Sequence, residues 1–251
     1  MPRKKSIRRR LRRYVEFDFL QSLRHNARLL AIVTIAFIFV IALGIVAGIW
    51  KQSAPGQAVR SEVEPELRQM ENEVNQMENN GHIINIPNFT AHIISNNLLA
   101  SVEIIVLGIF FGIFPVFALA INGLVLGYVY FYVSDITPLG FFSVILPHGL
   151  IELSALMIAI TCGLRLGIAS LTAITQRDKR TPLRKAGSDV MNMLPVVFLL
   201  LIIAGLIEGF ISPITGTAMA YAKIALGLTL FGALLYWFTR TPKLVGQSER
   251  A

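Results

Sequence analysis

IISNNLLASVEIIVLGIFFGIFPVFALAINGLVLGYVYFYV, residues 93–133, decides the fold. These 41 residues contain one charged side chain, Glu103. A hydrocarbon core about 30 Å thick is crossed by about 20 residues of helix, so the run is too long for one span. It leaves almost no room for a loop. A tight reversal is expected near Gly112-Ile113-Phe114-Pro115, because proline lacks a backbone donor and disfavours helix in the residue before it. The stretch becomes two spans.

Further apolar runs lie at 29–49, 142–162, 190–208 and 218–239, which makes six spans. The chain is 54% hydrophobic and 15% charged, with a mean hydropathy of +0.62. A soluble core of this size has no place for so much apolar surface, and a soluble enzyme is excluded on that ground. The expected fold class is all-α: a polytopic transmembrane bundle with a short extracytoplasmic amphipathic helix.

The net charge of +8 is concentrated at the ends of the apolar runs, a topological pattern and not a nucleic-acid footprint. Residues 1–28 carry ten basic side chains against Glu16 and Asp18 and read as a cytoplasmic segment in contact with anionic lipid. Residues 29–49 are too long for a signal-peptide core and lack a cleavage site, so they read as an anchor. Residues 50–92 carry Lys51, Arg60 and Arg68 against six glutamates and belong outside. The loop Gln176–Lys185, with five basic residues, and the tail 240–251 belong inside. Six spans in the bundle, the last five between 93 and 239, satisfy all of these signs in the cytoplasmic membrane.

In the outside loop, Val63, Leu67, Met70, Val74 and Met77 recur at spacings of 4, 3, 4 and 3. This is one apolar stripe on a helix between Ser61 and Asn80, with Pro65 in its first turn. Two heptads do not sustain a free coiled coil, so the stripe lies on the bundle, the membrane surface or a partner. Small-xxx-small pairs at Gly44/Gly48, Gly108/Gly112, Gly123/Gly127, Gly163/Gly167 and Gly205/Gly209 predict close helix packing.

Polar side chains inside a bilayer are costly and therefore draw attention. His148 and Glu152 are four apart, on one helical face, behind Pro147, where a broken or re-entrant helix entry is expected. With Glu208, Asn96, Asn97 and Asn122 they are expected to form one polar cluster. Arg165 and Lys223 read as snorkelling residues near span ends. Such a cluster shares a proton, binds a metal, or only joins helices by hydrogen bonds. No His-Glu-x-x-His and no Gly-x-Ser-x-Gly with a base is present, and the lone Cys162 reads as packing. No catalytic residue, metal ligand set or cofactor is expected.

Asn97, Asn122-Gly123, Leu146-Pro147-His148-Gly149-Leu-Ile-Glu152-Leu, Gly163-Leu-Arg-Leu-Gly167 and Glu208-Gly-Phe-Ile-Ser-Pro213 together resemble the stage II sporulation protein M family, over roughly residues 90–215. The Pro-His-Gly-x-x-Glu block is the most specific part. In spore formers the family member works with a cell-wall hydrolase and an amidase at the engulfing septum. The resemblance thus implies a membrane anchor for peptidoglycan machinery.

The expected function is a non-enzymatic scaffold that presents the outside helix and the polar cluster to partner proteins, peptidoglycan hydrolases among them. The alternative is a transporter or channel that moves a proton, ion or lipid through the same cluster. Against transport, no inverted repeat is evident beyond two loosely similar segments around Glu103 and Glu208. The expected partners are membrane lipids and other membrane or extracytoplasmic proteins, with a homo-oligomer left open and no nucleic acid.

Overall fold

The computed structural model describes residues 10, 12–50, 52–54, 56–65, 68, 86–133, 137–176, 180–214 and 216–241. After a π-helical turn at Tyr14–Asp18 come α1 (Phe19–His25), α2 (Ala27–Ile49), α3 (Ile86–Leu107), α4 (Ile113–Tyr132), α5 (Pro138–Thr175), α6 (Arg180–Phe210) and α7 (Thr217–Thr239). There is no strand among the described residues. The six helices α2 to α7 are long and apolar enough to cross a membrane, which bears out the all-α polytopic reading and an integral membrane location.

The two longest helices, α5 and α6, form the centre. α3 packs on both, α7 and α4 pack on α5, and α2 lies outermost against α4. Side chains between α5 and α6 are sealed, with Ala155, Ala159, Cys162, Met193, Val197 and Ala204 at 0% exposure. Large apolar residues point outward instead, Ile35 at 68% and Phe39 at 62% among them. That inversion is ordinary when the solvent is hydrocarbon.

Lipid offers no hydrophobic drive between helices, so close backbone approach supplies the packing. The small-residue pairs meet one another. Gly44 of α2 lies against Gly127 of α4, where an added β-carbon would sit 3.0 Å from the Gly127 Cα. Gly108 faces Gly163, and Gly112 faces Gly167. On α6, Gly205 and Gly209 make room for Ile94 and Thr90 of α3.

Several boundaries differ from the sequence expectation. The reversal occupies Gly108–Gly112, upstream of Pro115, because Phe111 (φ 59°) and Gly112 (φ 77°) both take the left-handed conformation that ends one helix and begins the next. Pro115 then sits in the first turn of α4, where its missing donor costs nothing. α5 runs unbroken through Pro147, so the re-entrant entry is corrected. The proline is fully buried against α7, where Gly227 carries no side chain to hold the helices apart. Tight packing on one face thereby compensates the single backbone bond lost.

The helix in the 50–92 loop begins earlier than expected. Residues 56–65 are already helical, so Pro65 is not in a first turn. Val63 is buried on Tyr128, and the Tyr128 hydroxyl donates to Glu64 at 3.4 Å. The stripe therefore starts on its own bundle; Leu67, Met70, Val74 and Met77 lie outside the described residues. The basic N-terminus is more than a solvated tail: Phe19 is 0% exposed and stacks on Trp237 of α7 at 4.9 Å. Burying that ring contributes about 2 kcal/mol to docking α1 under the bundle.

Candidate functional site

Thr137 caps α5 by accepting from the Gly140 N–H at 3.2 Å, and the helix then carries His148 about 15 Å inward from Pro138. Glu152 follows one turn later on the same face. α6 runs antiparallel beside it and brings Glu208 to the same level. A ring nitrogen of His148 and a carboxylate oxygen from each of Glu152 and Glu208 all lie within 4.8 Å of one another. α3 contributes Asn97, whose amide donates to Glu152 Oε1 at 3.0 Å.

The turn after α6 holds this group in place. Ser212 Oγ donates to the Val144 carbonyl at 3.3 Å and lies 3.1 Å from His148 Nδ1. With the Val144 and Ile207 carbonyls within reach of its own proton, Ser212 is placed to accept from Nδ1–H in the tautomer that carries the imidazole lone pair on Nε2. Lys223 of α7 does not snorkel as expected. It is buried, and its Nζ donates to the carbonyls of Ser212 and Ile214 at 2.9 Å each, which clamps the turn. Among the described residues no Lys or Arg forms an ion pair with Glu152 or Glu208.

Two expected members stand apart. Asn96 is exposed, because adjacent positions on α3 point about 100° apart and Asn97 takes the inward one. Asn122 is also exposed, and its amide donates to the Ala118 carbonyl of its own helix at 2.8 Å. Glu103 likewise faces outward.

A second polar group, which the sequence reading missed, lies at the opposite end of α5 and α6. Asp189 is 9% exposed and accepts from Arg165 Nε at 3.4 Å, with His25 Nδ1 at 2.9 Å. Arg165 is thus a paired residue and not a snorkelling one. Nearby, the Asn192 amide donates to Ser22 Oγ at 3.0 Å, and the Tyr14 hydroxyl donates to the Asn192 carbonyl at 2.6 Å. Burial, followed by the charge of Asp18, pushes the Tyr14 pKa up to about 12. A lone aspartate at the head of an apolar run was the available signal for this group.

The arrangement can do two things: hold helices in register, and offer a nitrogen with two carboxylates to a proton or cation. No curated protein and no solved structure matches the chain. The family model described as stage II sporulation protein M matches residues 30–213, a span that takes in most of α2, the His148, Glu152 and Glu208 cluster, and the Arg165–Asp189 pair. The chain belongs to the stage II sporulation protein M family of membrane proteins.

Proposed function

We propose that the protein is a non-enzymatic membrane anchor, with both termini in the cytoplasm, that presents its outer loop and its His148/Glu152/Glu208 end to wall-remodelling proteins acting beyond the membrane. The observation that carries this reading is the dry layer between the two polar groups. Glu152 and Arg165 are about 20 Å apart along α5. The side chains packed between them, from Ala155 to Cys162 on α5 and Met193 to Ala204 on α6, include seven at 0% exposure. A conducting path needs polar groups or water through that section, whereas an anchor needs a sealed one. The family's association with peptidoglycan enzymes supplies the partner class.

Two measurements test the reading together. Photo-crosslinkers at exposed Ser61 and Glu62, used in native membranes, should recover a peptidoglycan hydrolase or amidase. Liposomes holding the purified chain should leak protons and monovalent ions no faster than empty ones. Crosslinks to the chain itself alone, together with a flux abolished by Glu152→Gln, would establish the transport alternative in its place.

A further inference from the structure

We propose that His148, Glu152 and Glu208 bind one divalent transition-metal ion, a site independent of the anchoring role. The donor set comes first. One imidazole nitrogen and two carboxylates, all within 4.8 Å of one another, suit zinc, manganese or ferrous iron better than an all-oxygen cation such as magnesium. Ligand atoms on one tetrahedral ion stand roughly 3.4 Å apart. Side-chain movements of about an ångström close the difference.

The surroundings then match what a metal ligand needs. A ligating histidine commonly donates its other ring N–H to an oxygen, which fixes the tautomer. The 3.1 Å contact between His148 Nδ1 and Ser212 Oγ suits such an arrangement, because Ser212 has the Val144 carbonyl for its own proton. Asn97 bonds one oxygen of Glu152 and leaves the other available. Ser212 is held in turn by Lys223 through its carbonyl, so the outer shell is anchored to a third helix.

Charge supplies the remaining argument. Two carboxylates meet in a span with no basic side chain paired to either among the described residues. Lys223 directs its ammonium to two carbonyls instead. A cation held between the imidazole and the two carboxylates would offset that charge. The sequence shows no metal motif because Glu208 is separated from Glu152 by most of two helices.

The full chain, purified in lipid nanodiscs and stripped with a chelator, should be titrated with cobalt(II), then with zinc(II) as competitor. The expected result is one equivalent bound, with visible d–d bands of a nitrogen and oxygen site and no thiolate charge-transfer band, and a zinc-dependent rise in melting temperature. Glu208→Gln, which keeps the side-chain shape, should weaken binding at least tenfold, and Ser212→Ala about tenfold. Asp189→Asn, at the other end of the bundle, should bind as the wild type does. Absence of saturable cobalt bands with a zinc-independent melting temperature would mean that protons occupy the carboxylates, and the proposal falls. Binding that survives Glu208→Gln unchanged overturns it equally. If Glu208→Gln does not fold, the wild-type spectrum and melting shift decide between the same two outcomes.

Discussion

His25 Nδ1 lies 2.9 Å from Asp189 Oδ2, a contact between residues 164 positions apart that ties the N-terminal segment to the central helix α6. Arg165 of α5 approaches the same oxygen at 3.4 Å. Asp189→Asn keeps the shape and removes the charge. Because His25 is more than half exposed, its share is small; the loss expected in docking is about 1–2 kcal/mol. A cysteine at Ser22, buried in the wild type, should then react several-fold faster with a thiol reagent, while Cys162 stays protected. Unchanged reactivity at position 22 would show that the latch carries no docking energy.

Tyr14 gives the same segment an alkaline limit. Its pKa is about 12 when docked, against the ordinary 10.0. An undocked segment therefore loses the phenolic proton first, and ionisation favours release. The contribution of Tyr14 to docking is intact below pH 10 and is lost as pH rises through about 12. Tyr14→Phe should remove this step from a titration that follows position-22 reactivity, and it should lower docking by about 1 kcal/mol at neutral pH.

The glycine contacts predict a sharp contrast between positions. Gly163→Val places a branched side chain against Pro115 and the Ile104 carbonyl and should cost about 1–3 kcal/mol or prevent assembly. Gly187→Ala meets nothing within 4 Å and lies in α6, so it should be neutral or stabilise by up to about 1 kcal/mol. Thermal aggregation of the detergent-purified variants distinguishes them. Similar melting for both would remove the close-approach account.

Orientation is tested by labelling. With basic ends inside, cysteines replacing Ser6 and Ser248 should resist an impermeant reagent in intact cells, and one replacing exposed Ser61 should react. Labelling at position 248 from outside contradicts an even number of spans.

Hydropathy reveals the six helices because a bilayer demands apolar length, and spacing reveals the glycine faces because backbone approach has a helical period. Helix ends are less legible. Nothing in the string Gly112–Pro115 says that Phe111 will take positive φ. At the His148 site the four-residue spacing places Glu152 beside the histidine, but the choice of Asn97 over Asn96 depends on how α3 is rotated. Ser212 and Lys223 are invisible as a pair until the turn after α6 folds back. Asp189 escapes notice because a single carboxylate beside five basic residues looks like part of their solvated loop. Its partners, Arg165 and His25, come from a separate helix and from the N-terminal segment.

α5 is one continuous rod of 38 residues, about 57 Å long, that carries Glu152 about 21 Å from its Pro138 end and Arg165 about 15 Å from its Thr175 end. A rigid rod tilting about the packed section between those two residues would move them in opposite directions. A tilt of about 5° would shift each by about 1 Å, comparable to the difference between a made and a broken hydrogen bond. A shift at one polar group would thus reach the other through the helix itself, with nothing crossing the membrane.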